Sequence, residues 1–354
     1  MTRTALVMAG GTGGHIFPGL ALAQVLRQQG WRVHWLGAPA PSMESQLVPA
    51  QGFAYETVRF GGVRGKGAMT LLWLPMRLLH AFWQSLQIIR QLKPNVLIGF
   101  GGYITFPGAM MGVLCGKPLV LHEQNAVAGT ANKILAHLAD RVMSNFPSVL
   151  PKTQWVGNPL RDSFINCPAP VDRFASREGP LRIVVVGGSL GAQVLNETVP
   201  KALAMLPQAN RPMVFHQGGA KHLEALQAHY EAAGVEAELV SFIDDTAAAF
   251  AQADLVICRA GASTVSELAA IGVAALMVPF PHAVDDHQTA NAKFLTEQGA
   301  GWLMPQVQFN PASLSAFIQS MSRPQLAQVA INAYALRKTQ AAYEMARACE
   351  EVSA

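Results

Sequence analysis

Short apolar runs alternate with stretches of helical spacing along nearly the whole chain. Ala5–Ala9 is continuously apolar, and apolar residues then recur at Ile16, Leu20, Ala23 and Leu26 until Gly30. The run predicts a buried parallel strand, and the spacing predicts a helix with a glycine stop. The same alternation predicts strands at Arg32–Leu36, Ala54–Val58, Val96–Gly99, Leu119–His122 and Arg141–Ser144. It resumes with strands at Leu181–Val186, Met213–His216, Glu238–Val240, Leu255–Cys258 and Ala274–Val278. Helical patterns fall between them, including Ser42–Ala50, Met69–Arg90 and a last helix from about Tyr334 to Val352. Fully apolar strands separated by helices give an α/β protein with parallel sheets.

The first strand and helix are joined by Gly10-Gly11-Thr12-Gly13-Gly14. Strand, glycine turn, helix aims bare backbone N–H groups and a positive helix end at an anion. A second copy follows Leu181–Val186 as Gly187-Gly188-Ser189-Leu190-Gly191-Ala192, 177 positions later in a chain of 354. The chain therefore reads as two Rossmann-like domains in tandem, 1–160 and 161–333, with the proline-marked stretch 160–180 as linker. Facing domains would place both turns in one cleft. Neither turn is a dinucleotide fingerprint. Position 16 is Ile16, and no acid ends the strands Arg32–Leu36 or Met213–His216 to hold an NAD ribose.

Composition adds limits. Half the residues are apolar and 14% charged, enough for two cores and no case for disorder. Cys115, Cys167, Cys258 and Cys349 lie too far apart for a metal motif and suit a reducing compartment, and the N-terminal apolar run lacks the form of a secretory leader. Residues 1–160 carry 13 Lys+Arg against 4 acids, while residues 161–354 carry 13 against 18. A basic first half facing something anionic follows, with no aromatic-rich basic stripe to suggest nucleic acid. The helix Met69–Arg90 holds Leu71, Leu72, Trp73, Leu74, Met76, Leu78, Leu79, Phe82 and Trp83 among Arg64, Lys66, Arg77, Arg90 and Lys93. Arg77 and His80 interrupt it well short of the roughly 20 apolar residues that span a bilayer. It is either a covering helix of the sheet or one whose outer face lies in a membrane interface.

Polar clusters collect after the strands. Gly101-Gly102-Tyr103 is a tight turn or a second place of close phosphate approach. In Arg259-Ala260-Gly261-Ala262-Ser263-Thr264-Val265-Ser266-Glu267, small residues open a helix, and Glu267 either caps it or takes the paired hydroxyls of a ribose. Asp285-Asp286 lacks a third hard ligand at set spacing and reads as helix N-terminal charge.

Taken together with His122-Glu123-Gln124-Asn125, Gly157-Asn158-Pro159-Leu160-Arg161 and Asp286-His287-Gln288-Thr289-Ala290-Asn291-Ala292, these motifs resemble, in order and over nearly the whole chain, the MurG family of bacterial cell-wall glycosyltransferases. The resemblance implies a GT-B fold and an inverting transfer of N-acetylglucosamine from UDP-N-acetylglucosamine (UDP-GlcNAc) to undecaprenyl-diphosphate-linked muramyl-pentapeptide, lipid I, giving lipid II. It implies no cofactor or metal, a peripheral place on the cytoplasmic face of the inner membrane through about Arg64–Lys93, and cell-wall or divisome proteins as partners. It assigns the diphosphate to Ser189, Ala262, Ser263, Thr264, Val265 and Ser266, the ribose to Glu267, the uracil to Ile243 and Arg161, and the sugar to Gln288 and Asn125. Thr12, Gly13 and Gly14 would face donor and acceptor, with Gly101, Gly102, Tyr103 and Glu123 on the acceptor side. His15 is the general-base candidate, kept neutral by the positive helix end, or else a residue that orients phosphate. His287 departs from the glutamine of some relatives and receives no sugar contact. A UDP-sugar epimerase or hydrolase, or a non-catalytic nucleotide-binding protein, are the alternatives on the same architecture.

Overall fold

The computed structural model describes residues 2–62, 72–188 and 190–353. They divide into two units, residues 2–160 with 339–353 and residues 161–338. The first contains a seven-stranded parallel sheet in the order β3-β2-β1-β4-β5-β6-β7. Its strands are β1 Thr4–Met8, β2 Arg32–Gly37, β3 Ala54–Thr57, β4 Val96–Gly99, β5 Leu119–Glu123, β6 Arg141–Ser144 and β7 Gln154–Trp155. The second contains a six-stranded parallel sheet in the order β10-β9-β8-β11-β12-β13. Here β8 is Arg182–Val186, β9 Met213–Gln217, β10 Glu238–Val240, β11 Leu255–Cys258, β12 Ala274–Met277 and β13 Trp302–Leu303.

In both sheets the chain runs outward from the first strand on one side and then crosses back to the other. The order reverses between β1 and β4, and again between β8 and β11. Such a switch point opens a crevice at the strand C-termini, because the two flanking connections leave toward opposite faces. The two turns on either side of each crevice are the glycine turns and polar clusters singled out from the sequence.

The continuous apolar runs are explained by burial on both faces of the sheet. In β1, Ala5 and Val7 enter one core with Leu20, Trp35 and Phe100, while Leu6 and Met8 enter another with Leu97 and Leu121. The helix Ala341–Val352 returns to the first of these cores through Ala341, Met345, Ala346 and Cys349, all fully or nearly fully buried.

Two expectations are corrected. The last helix, expected from about Tyr334, begins at Ala341, and the helix before it runs on to Ala335. Ala330 and Ala333 are buried in the second unit and Ala341 in the first, so the chain changes unit across residues 336–340 and helical continuity stops there. The stretch read as a linker also folds, as the short helices Asp162–Ile165 and Pro170–Ala175. Phe164 is fully buried edge-on to Phe250, and Arg173 donates to the carbonyls of Ala251 and Ile271, pinning the segment to the second unit. Beneath it, the buried Asp254 carboxylate pairs with Arg177 at 2.8 Å and Arg323 at 3.3 Å.

Candidate functional site

In the first unit the helix Gly13–Gln28 starts directly after the β1 turn, with Thr12 as an extended N-cap that makes no side-chain cap bond. The N–H groups of the first helical turn have no acceptor further back in the helix, so those of Thr12, Gly13 and Gly14 lead into the crevice as donors. The Thr12 hydroxyl lies 3.0 Å from His15 Nδ1, which directs Nε2 of the ring toward the β4 turn. A Cβ at Gly101 would stand 3.5 Å from that Nε2 and 3.2 Å from Asn132 Nδ2. Gly101 thus passes between His15 and Asn132, and larger residues at its positive φ of 85° would be strained as well as crowded.

Glu123 is buried at the end of β5. Its carboxylate accepts from Asn125 N at 2.9 Å, Gly129 N at 3.1 Å and Asn132 Nδ2 at 2.9 Å. Burial raises its pKa and these three donors pull it back. Its oxygens are spent inside the protein, where they set the positions of Asn125 and Asn132. His122 beside it donates from Nε2 to Gly157 O, 2.8 Å away, and burial pushes its pKa down to about 4, so the ring is neutral. Tyr103 is half-buried against the turn, its phenol pKa raised by burial and by the Glu44 carboxylate.

In the second unit the helix Ala262–Ile271 begins with Gly261 as N-cap, again with no side-chain cap. The capping reading of Glu267 therefore fails: Glu267 stands beyond the first turn, where it reaches no capping position. Its carboxyl pKa is pushed up to about 7 by burial, against the pull of the Arg161 guanidinium. Arg161 itself lies over the Phe164 ring at 5.0 Å. Asn291 donates to Ala260 O at 3.1 Å and holds the turn from below. Arg259 donates to the carbonyls of Val278 and Pro279 and to Gln306 Oε1. Gln288 accepts from Phe280 N at 2.9 Å, which fixes that side chain against the β12 turn. Ser263, Thr264 and Ser266 are half-buried, while Ala262 and Val265 are buried and offer main chain only. Ser189 lies outside the described residues.

The β8 turn is locked to the β9 turn by backbone. A Cβ on Gly191 (φ 77°) would sit 2.0 Å from Gly218 O, and one on Gly219 would sit 2.4 Å from Leu190 O. Asn196 donates to Gly218 O at 3.0 Å and accepts from His216 Nε2 at 3.1 Å, while His216 Nδ1 accepts from the Tyr230 hydroxyl at 3.0 Å. Burial drives the His216 pKa down to about 3, consistent with a neutral ring carrying its proton on Nε2. Ile243 is buried at the start of the β10 loop, its carbonyl accepting from Thr246 Oγ1 at 3.4 Å. A groove of about 930 Å³ runs along β8–β10 and meets the candidate residues only at Ile243, so it is not the crevice itself.

The first unit thus gathers Thr12–His15, Gly101–Tyr103, Glu123 and Asn125, and the second gathers Arg161, Ala262–Glu267 and Gln288. Sequence reading missed Glu44, Asn132, Asn196 and His216, all buried polar residues that touch the turns from behind. Their only sequence signal is a polar residue inside an apolar helical or strand pattern.

Two family models cover the chain: the glycosyltransferase family 28 N-terminal domain matches residues 5–144 and the family's C-terminal domain matches residues 182–348. Proteins named UDP-N-acetylglucosamine--N-acetylmuramyl-(pentapeptide) pyrophosphoryl-undecaprenol N-acetylglucosamine transferase are similar along their whole length. The one from Polaromonas naphthalenivorans is 62% identical over 355 residues, covering 99% of each chain. The one from Ralstonia nicotianae is 59% identical over 352 residues, covering 99% of this chain and 96% of its own. The crystal structure of Acinetobacter baumannii MurG superposes with a TM-score of 0.86 at 39% identity, covering 99% of both chains. A glycosyltransferase of kitacinnamycin, at 15% identity and a TM-score of 0.70, shares the fold. With both halves matched and relatives this similar end to end, the chain belongs to the MurG family, glycosyltransferases of family 28 with the GT-B fold.

Proposed function

We propose that this enzyme transfers N-acetylglucosamine from UDP-GlcNAc to lipid I, forming lipid II. The observation that carries the reading is the pair of unlike crevices, one with the half-buried Glu267 carboxylate beside a helix start, the other with His15 beside one. The first chemistry fits a nucleoside diphosphate, the second a diphosphate whose attached sugar must lose a proton.

In this reading the second unit holds the donor. The helix start Ala262–Ser266 takes the charge of the diphosphate, which grows as the bond to the sugar breaks, through the N–H groups of Ala262–Thr264 and the positive end of the helix. Ionised Glu267 accepts from the two ribose hydroxyls, Ile243 and Arg161 lie by the uracil, and Gln288 lies by the sugar. Ser189 joins the diphosphate contacts. In the first unit Thr12, Gly13 and Gly14 with Gly101, Gly102 and Tyr103 bind the acceptor diphosphate, while Asn125, set by Glu123, meets the transferred sugar. The acceptor hydroxyl attacks the anomeric carbon, its proton passes to His15 Nε2, and UDP departs from the opposite face, which inverts the configuration. Nε2 can take that proton because the hydrogen of the neutral ring sits on Nδ1, which donates to the Thr12 hydroxyl oxygen 3.0 Å away, a bond that the imidazolium keeps.

The membrane reading rests on the helix Leu74–Leu92. Only Ala81, Ser85 and Ile89 are buried along it, whereas Leu72, Trp73, Met76, Leu79 and Trp83 are each more than half exposed. They form one stripe beside Arg77 and His80, the composition of a face that sits at headgroup level. Arg64, Lys66 and Met69–Leu71 lie outside the described residues. No helix among the described residues is long and apolar enough to cross a membrane. The enzyme in this reading rests on the cytoplasmic face of the plasma membrane, where cell-wall and division proteins take up its product.

Incubation with labelled UDP-GlcNAc tests the activity: UDP is released only when a lipid I analogue is added, and release or isomerisation without acceptor refutes the transferase. Because the Glu267 carboxyl is raised to about 7, it ionises as pH rises through that value, and its hydrogen bonds to ribose strengthen. Donor affinity measured by titration calorimetry rises by about 10-fold between pH 6 and pH 8, and Glu267→Gln removes this step as well as weakening binding. His15→Ala lowers kcat by about 10²-fold or more with the KM for UDP-GlcNAc little changed, as initial rates report. Trp73→Ser with Leu79→Ser reduces sedimentation with phosphatidylglycerol vesicles while leaving turnover of a water-soluble acceptor analogue intact.

A further inference from the structure

Dinucleotide-binding folds place an acid at the end of the second strand, and β2 of this chain ends without one. The structure supplies an acid at that spot from elsewhere. Glu44, in the first turn of the helix Met43–Ala50, is fully buried and reaches back under the first glycine turn. One carboxylate oxygen accepts from Ala38 N at 3.2 Å, just after β2, and the other from Gly11 N at 3.3 Å, just after β1. The fit is close on all sides. A Cβ at Gly10 would come within 2.5 Å of Glu44 Oε1, and one at Gly37 within 2.9 Å of Glu44 Cγ. The helix that carries Glu44 is itself fixed by a reciprocal cap between Ser42 and Ser45, and the Ser42 and Tyr55 hydroxyls both donate to Ala38 O.

We infer that Glu44 is a positioning residue for the acceptor diphosphate, an inference that rests on the acceptor role proposed for the first unit. By bonding the Gly11 N–H it turns that amide inward and fixes the backbone at φ 93°, the conformation from which Thr12, Gly13 and Gly14 lead outward and His15 follows. It also fills the space beside the turn that a ribose occupies in a nucleotide-binding unit. Both oxygens of this carboxylate are committed to backbone N–H groups, so it has none to offer the hydroxyls of a ribose, and the first unit is left to a diphosphate without a nucleoside. Glutamine has the same shape but sets an amide NH₂ against one of the two N–H donors, so Glu44→Gln breaks one of the paired bonds without opening a cavity.

The test combines exchange and kinetics. In the wild-type protein, hydrogen exchange resolved to single amides by NMR should show Gly11 at least about 10-fold more protected than Thr12, Gly13 and Gly14. Adding farnesyl diphosphate should then protect those three and leave Gly11 unchanged. Exchange of Gly11 as fast as its three neighbours overturns the proposal, whether or not the protein transfers sugar. In Glu44→Gln, the KM for a lipid I analogue should rise by about 10-fold with the KM for UDP-GlcNAc within about twofold, and Glu44→Ala should do the same more strongly. A purely structural role would lower the unfolding midpoint while leaving both KM values alone, and that result overturns the proposal. Absence of acceptor-dependent turnover in the wild type refutes the acceptor reading instead, while the exchange pattern still decides what Glu44 does to the turn.

Discussion

Both candidate sites are built on the first turn of a helix that follows a parallel strand, where the N–H groups have no partner further back in the helix. A helix beginning right after a parallel strand has three or four such donors, and in water or in most proteins a Ser, Thr or Asp side chain would cap them. Here the N-cap positions of both site helices, Thr12 and Gly261, make no cap bond. An anion can take the place of such a cap, because the N–H groups and the helix dipole both favour negative charge there. Both helix starts lie at the switch points of their sheets.

Holding such a turn open takes rigid support from behind, and the two units solve this differently. The first uses charge: the Glu44 carboxylate bonds Gly11 and Ala38 and ties adjacent turns together. The second uses neutral groups: Asn196, His216 and Tyr230 form a chain that ends on Gly218 O, which presses on Gly191. The support behind the β8 turn is therefore neutral where that behind the β1 turn is a carboxylate. Glu267, in the helix that follows β11, has its carboxyl pKa raised by burial to about 7. Glu123 follows the same logic as Glu44, with its oxygens consumed by Asn125, Gly129 and Asn132.

The helix Leu74–Leu92 shows the limit of reading amphipathicity from a pattern. Its apolar residues are too many for one buried stripe, and the fold buries the small ones, Ala81 and Ser85, against the neighbouring helix and exposes the tryptophans. Small residues let the helix approach its neighbours closely, Ile89 alone of its large apolar residues is fully buried, and the tryptophans are left on the surface.

The succession of strands and helices, the parallel sheets and the two glycine turns were legible from local rules, because a doubly buried strand must be apolar throughout and a close-approach turn must lack side chains. Ala5–Ala9 and Leu181–Val186 read correctly for that reason, and Gly10–Gly14 and Ala262–Glu267 marked their crevices. Not legible were the break at residues 336–340 and the folded stretch 160–180, since both depend on which unit a residue packs against, not on its neighbours in sequence. Glu44 as the missing acid beside β2 was equally hidden, whereas Glu267 already stood out as a cap or a ribose contact. The sequence alone determined which atoms are available: bare amides, the carboxylates of Glu44, Glu123 and Glu267, and the imidazole of His15. Tertiary structure decided where the protons and charges rest, because burial and long-range hydrogen bonds, such as that of Gly11 to Glu44 across 33 residues, depend on distances in space that no local pattern encodes.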